Sequence, residues 1–235
     1  MLVTGSPQFD TQNDFGEGDG VCAIQQSQWQ WQFSMENTNP ELLDFDFLGL
    51  DPILGNTFKR LRSVLQMTED PIVLSTTDLH DLTCFILHRL LSLPPLTGSD
   101  SLSTNTSECL RYGVLLYMFI IHGPTYYSHA HVLHALVLQL QHHLGHLLSF
   151  SKNDSLIVWF LSIGAVASLG TNESQWFRWR AAGISIVLGV RCWGDVEKHL
   201  KRVLWLKAVP TWVIFQHTWE DIIMPNSSLY NSAHV

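Results

Sequence analysis

Glu108-Cys109-Leu110-Arg111-Tyr112-Gly113-Val114-Leu115-Leu116-Tyr117-Met118-Phe119-Ile120-Ile121, closed by His122-Gly123-Pro124, is the stretch on which the fold turns. Past Arg111 it is apolar on every side, which marks a helix buried all round rather than one with a wet face. The apolar run from Tyr112 to Ile121 is short of the roughly 18 to 20 residues a membrane span needs, and Arg111 and His122 bracket it closely. The second greasy run, 156–169, is equally short and sits between Asp154 and Glu173. Both read as core helices, although 46% hydrophobic residues and a mean hydropathy of +0.11 are high for a chain folded in water.

Outward from this centre the helical signals are regular. Upstream, Ser75, Thr76 and Thr77 offer caps, and Leu79, Leu82, Ile86 and Leu90 recur at helical spacing until Pro94-Pro95 stops the run. Residues 97–107 are rich in Ser, Thr, Asn, Gly and Asp and read as a loop. Downstream, residues 128–148 place Val132, Leu133, Leu136, Val137, Leu140, Leu144, Leu147 and Leu148 on one wide face. Residues 155–169 form a helix with small Gly164, Ala165, Ala167 and Ser168, and Gly170 ends it. A further helix at 174–188 starts with Trp176, Phe177 and Trp179. Gly194-Asp195 opens another, with Val196, Leu200, Val203 and Leu204 as its buried stripe and Glu197 facing Lys201 four residues on. Pro210 breaks it, and a last short helix carries Trp219-Glu220-Asp221-Ile222. No strand periodicity and no internal repeat is present in this body, so the expected fold class is all-α, a single helical-bundle-like domain.

The N-terminal part is physically different. All nine acidic residues before Lys59 stand without a Lys or Arg, whereas the rest of the chain holds twelve acids and all thirteen bases. Residues 1–57 are expected to form a largely disordered acidic arm rich in Gln and aromatics, residues 58–224 the helical domain, and 225–235 a polar tail. Within the arm, Gln25-Gln26-Ser27-Gln28-Trp29-Gln30-Trp31-Gln32-Phe33 alternates polar and aromatic residues. In Glu41-Leu42-Leu43-Asp44-Phe45-Asp46-Phe47-Leu48-Gly49-Leu50-Asp51, carboxylates interleave with large apolar groups. Such a segment presents Leu42, Phe45, Phe47, Leu48 and Leu50 as anchors for a partner's groove, or docks as a lead-in on the protein's own body.

Chemistry-bearing patterns are sparse. His122, His129, His131, His134, His142, His143 and His146 crowd one stretch, and His142, His146 and His131 fall near one helix side, the arrangement of an imidazole metal site. Between Glu108 and Asp154, however, there is no Asp or Glu to act as base or to orient an imidazole, and the trio lies opposite the apolar stripe. No metal, cofactor or catalytic residue is therefore assigned. Cys22, Cys84, Cys109 and Cys192 are too far apart for a zinc knuckle or a C-x-x-C pair. There is no G-x-S-x-G, no P-loop and no Gly-rich strand-to-helix loop. The bases fall in two small groups, Lys59, Arg60 and Arg62, and Lys198, Lys201, Arg202 and Lys207; at net charge −8 they give no concentrated surface for nucleic acid. The first group has the form of a weak nuclear-import signal. The N-terminus has neither a positive start nor an apolar stretch, which leads to the expectation of an intracellular protein.

Several stretches, in this order, resemble the C-terminal regulatory domain of fungal-specific transcription factor family proteins. They are His88-Arg89-Leu90-Leu91-Ser92-Leu93-Pro94; Glu108-Cys109-Leu110-Arg111-Tyr112-Gly113 leading to Leu115-Leu116-Tyr117; Trp159-Phe160-Leu161-Ser162-Ile163-Gly164-Ala165; Trp176-Phe177; Trp193-Gly194-Asp195-Val196 running to Leu204-Trp205-Leu206; and Trp219-Glu220-Asp221. Together they span about residues 80–222. The resemblance implies an all-helical, non-catalytic regulator domain in the nucleus that contacts protein co-regulators. Relatives often carry an N-terminal binuclear zinc cluster of six closely spaced cysteines, which this sequence lacks, so direct DNA recognition is not expected of it. The motifs are packing signatures and bring no binding or catalytic residue with them. The rival readings are a histidine-cluster metal protein or enzyme, and a helical scaffold unrelated to transcription; oligomeric state is left open.

Overall fold

The computed structural model describes residues 42–44, 48–66, 76–96, 101–123, 130–148, 154–206 and 211–224. Eight α-helices follow one another: α1 (Pro52–Gln66), α2 (Thr76–Ser92), α3 (Leu102–His122), α4 (Ala130–Leu147), α5 (Asp154–Ala167), α6 (Glu173–Leu188), α7 (Trp193–Val203) and α8 (Thr211–Ile223). Among the described residues there is no strand, and no helix is long and apolar enough to cross a membrane. The fold is all-α.

Helices α3 and α5 form its axis. α3 packs against α1, α2, α4 and α5, and α5 touches α3, α4, α6, α7 and α8. The expectation of a central helix at 108–121 holds, and α5 is buried along nearly its whole length, from Ser155 to Val166. Helices this close need small residues at the crossing. Gly113 of α3 meets the Trp159 ring of α5, where an added Cβ would stand 2.9 Å from Cζ3. Trp159 is in turn the hub of the core: Phe58 of α1 meets it edge-on at 6.2 Å, Tyr117 lies 5.8 Å away, and its indole donates to the Leu204 carbonyl at 2.7 Å.

Two elements differ from the sequence expectation. The first is α1, which begins at Pro52, inside the range 1–57 assigned to the arm. The Asp51 carboxylate caps it by accepting from the Ile53 and Leu54 amides, both at 3.0 Å, and Pro52 occupies the first turn, where a missing N–H costs nothing. Leu54, Phe58, Leu61 and Leu65 recur at helical spacing and are all buried. The second is the stretch 97–107, read as a loop, of which 102–107 is the first part of α3. Ser101 caps that helix through its hydroxyl, which accepts from Thr104 N–H at 3.1 Å. Asn105, Thr106 and Ser107 are buried with partners: Thr106 donates to Leu102 O at 2.7 Å, Asn105 Oδ1 faces His143 Nδ1 at 3.0 Å, and the Ser107 hydroxyl accepts from Asp51 N–H at 3.1 Å.

The remaining helices lie close to their expected bounds. In α4 the residues Leu136, Val137, Leu140, Leu144 and Leu147 are buried, with Val132, Leu133 and Leu148 packed at the edge of the core. The Glu197–Lys201 pair of α7 forms at 3.4 Å. In α6, Phe177 is fully buried, whereas Trp179 points outward.

Candidate functional site

The acidic-apolar segment before α1 runs over the domain's own surface at the junction of α1, α3 and α7. Its backbone is held from three sides. Leu43 N–H donates to Arg202 O at the end of α7 (2.9 Å), and the Arg62 guanidinium of α1 donates to Leu43 O (2.8 Å). Farther along, the Ser103 hydroxyl donates to Gly49 O, and Asp51 N–H donates to the Ser107 hydroxyl at 3.1 Å. Ser103 and Ser107 are one turn apart on α3, so that helix face serves as a polar rail for the incoming chain.

Of the five anchors named from the sequence, Leu42, Leu48 and Leu50 are half-buried, and Leu48 and Leu50 pack on the core together with Leu43. Phe45 and Phe47 lie outside the described residues. Among the described residues the segment thus turns its leucines to the body and leaves Asp44 exposed. Arg62, grouped by sequence with Lys59 and Arg60 as a basic signal, is instead only 7% exposed. Burial pulls its guanidinium down to about 10, with the Asp44 carboxylate pushing the other way.

The histidines expected as a rival site are spread out. His131, His142 and His146 are exposed on α4, and the rings of His142 and His146 meet edge-on at 5.0 Å. His143 instead stacks on Tyr112 of α3 at 5.8 Å while facing Asn105, and His134 approaches Glu173 at 3.7 Å. His129 lies outside the described residues. Among the described residues no group of three or more His, Cys, Asp or Glu is arranged to hold a metal ion.

The structure also joins residues that the sequence reading kept apart. His80 and Cys84, one turn apart on α2, meet His122 at the end of α3: Cys84 Sγ lies 3.6 Å from His80 Nε2, and His80 Nδ1 lies 2.9 Å from His122 Nε2. One set of neutral tautomers satisfies the whole row. The thiol donates to His80, His80 donates to His122, and His122 Nδ1 faces Gly123 O at 3.4 Å. Burial, and then the Asp81 carboxylate, push the Cys84 thiol up, which keeps it protonated and opposes a thiolate nucleophile. The i, i+4 spacing of His80 and Cys84 was visible in sequence; the contribution of His122, 42 residues on, was not.

Two surface concavities lie among the described residues. One, about 490 Å³, lies between α6 and α8 and is bridged by Arg178 and Asp221 at 3.4 Å. The other, about 260 Å³, lies where α6 turns into α7, with Leu188, Val190, Lys198, His199 and Arg202 in its walls. His199 sits over Ser155 at 3.0 Å, and burial, followed by Arg202, lowers its pKa.

No family model, no curated protein and no solved structure matches this chain.

Proposed function

We propose that this chain is a non-catalytic, helical transcription-regulator module of the fungal type, working in the nucleus through contacts with protein co-regulators. The observation that carries the reading is the segment 42–51. Its half-buried leucines anchor it to the helical body, and in its sequence carboxylates alternate with Phe45 and Phe47, the composition of an acidic, aromatic partner-binding motif. The family-like stretches support the reading from the other side. Trp159, Phe160, Ser162 and Gly164 line the buried axis, and Trp193 meets Trp205 edge-on at 5.9 Å, which is the behaviour of packing signatures.

The test is a reporter assay with the full chain fused to a neutral DNA-binding module. Replacing Phe45 and Phe47 by Ala is expected to move reporter output at least fivefold toward that of the module alone, with the fusion's abundance unchanged. Equal output from both fusions would remove the proposal.

A further inference from the structure

Helix α4 carries no Asp, Glu, Lys or Arg from Ala130 to Leu147, yet one side of it faces solvent. His131, Ala135, Leu138, Gln139, His142 and His146 are all exposed, and at 3.6 residues per turn they fall within one stripe roughly 100° wide. The solvent side of a surface helix ordinarily carries charge. A stripe empty of charge, with Leu138 42% exposed at its centre, has the composition of an interface core instead. The stripe is also its own complement. Turned end for end about its midpoint, between Leu138 and Gln139, it sets His131 against His146, the small Ala135 against His142 and Leu138 against Gln139. That is the pairing a two-fold axis imposes on two antiparallel copies of the helix.

The imidazoles supply a reason for the pairing. His142 and His146, one turn apart, hold their rings 5.0 Å centre to centre. Two imidazoles on one tetrahedral ion, each nitrogen about 2.0–2.1 Å from it, have their ring centres at roughly this separation. Two ligands do not close such a site. The third imidazole of the stripe, His131, is about 16 Å from His142 along the helix axis, out of reach within one chain. Accordingly, among the described residues no single chain assembles three ligands. An antiparallel copy removes the gap, because its His131 comes level with His146 across helix axes about 8–10 Å apart. With no carboxylate on α4, an ion held there has imidazole ligands and no base beside it, which suits it to bridging rather than to hydrolysis.

We propose that α4 is a metal-dependent dimer interface. Two copies of the chain pack antiparallel through this stripe, and His142 and His146 of one copy, with His131 of the other, hold a divalent transition-metal ion, twice per dimer. From His131 to His146 the contact is about 22 Å long, and at a helix diameter of about 10 Å its footprint is roughly 200 Å². That is well short of the about 800 Å² per partner of a stable interface, so the contact holds only when the metal ties it. The inference is independent of the 42–51 segment, which is held by α1, α3 and α7.

The test follows the mass of the untagged, chelator-treated full chain by sedimentation as zinc chloride is added. Expected are a monomer without zinc and a dimer with one zinc per chain, the dimer dissociation constant tightening at least a hundredfold. His131→Ala, and separately His142→Ala with His146→Ala, should each stay monomeric at the same zinc concentration, with unchanged helix content by circular dichroism because all three side chains are exposed. An equal mixture of the two variants should dimerise again with one zinc per pair, since one of its two sites is whole: His142 and His146 come from the first variant and His131 from the second. A mass indifferent to zinc would overturn the proposal, as would a zinc-driven dimer that survives in either variant. A mixture that stays monomeric would overturn it too, because the third ligand would then not come from the other copy.

Discussion

Gly164 of α5 lies directly beneath the ring of Phe177 of α6, so close that a Cβ at position 164 would overlap Cε1, Cδ1 and Cζ of that ring. Phe177 is fully buried and meets Trp176 edge-on at 4.9 Å, so it has little room to withdraw. The α5–α6 packing therefore rests on the absence of a side chain. Gly164→Ala is expected to destabilise the domain by about 3 kcal/mol, the upper part of the range for overpacked cores. Gly183, on the exposed side of α6 with open space around it, is the contrast: Gly183→Ala should stabilise by about 0.5–1 kcal/mol through helix propensity. Urea unfolding midpoints followed by circular dichroism compare the two, and midpoints shifting in the same direction would refute the packing account.

Glu108 and Arg111 of α3 form a pair at 3.6 Å with side chains only 3% and 8% exposed. Each also holds the turn after α2: Glu108 accepts from Leu96 N–H at 2.9 Å, and Arg111 donates to Leu93 O at 2.5 Å and Pro94 O at 3.2 Å. Arg111→Met would leave a buried carboxylate without its cation, a loss of about 3–5 kcal/mol. Changing both at once, Glu108→Gln with Arg111→Met, removes the stranded charge and should cost clearly less than the single Arg111 change. A double-mutant cycle by chemical denaturation measures this, and additive costs would show that the two do not act as a pair.

The all-α class and the bounds of α2 and α4 to α8 were legible because apolar residues at helical spacing, stopped by Pro94, Gly170 and Pro210, leave few alternatives. What failed did so for identifiable reasons. The spacing of Leu54, Phe58, Leu61 and Leu65 was present, but the acidic composition before it led the first part of α1, residues 52–57, to be assigned to the arm. At Asn105, Thr106 and Ser107 composition said loop; Thr106 is satisfied within the helix by Leu102 O, but Asn105 and Ser107 meet His143 and Asp51, partners distant in sequence. At the candidate site, the alternation in 41–51 identified the segment. It did not reveal which side faces the body, because the rail of Ser103 and Ser107 comes from another helix.

The 42–51 segment is held by α1 as well as by α3. Arg62 donates to Leu43 O from a largely buried position, so Arg62→Met removes the donor while keeping the apolar stem. Amide exchange at Leu43, Leu48 and Leu50 is expected to quicken at least tenfold in this variant, with α3 and α5 unchanged. Hydrogen–deuterium exchange read by mass spectrometry distinguishes this from global loss of stability, in which the core helices would quicken as well.

His199 carries a pH signature. Burial, then Arg202, lowers its folded pKa below the ordinary value near 6.5. Between the folded and unfolded values the unfolded chain binds more protons, so stability is full above about pH 6.5 and is lost as pH falls through the folded value. The charged and titratable neighbours facing it are Arg202, Asp154, Asp195 and Lys198, of which the two carboxylates oppose the shift. His199→Gln should therefore lose less stability than the native chain between pH 7 and pH 5. Parallel losses in urea titrations at the two pH values would contradict this.

Tyr117 gives the opposite sign at the other end of the scale. It is fully buried on α3, and its hydroxyl accepts the Leu206 amide at 2.8 Å, which ties the segment after α7 to the centre of the bundle. Burial raises the phenol well above its usual value, although the Leu206 hydrogen bond works against the rise. Above about pH 10 the unfolded chain gives up this proton while the folded one keeps it, so the stabilisation present below pH 10 is lost as pH rises further. Tyr117→Phe is expected to cost about 1–2 kcal/mol at neutral pH, because Leu206 N–H loses its acceptor. The same change should flatten the alkaline slope by up to about 1.4 kcal/mol per pH unit, the value of one proton. Unfolding midpoints measured from pH 8 to pH 11 read both effects. A variant that is weaker at neutral pH yet falls just as steeply above pH 10 would place the alkaline titration on a different tyrosine.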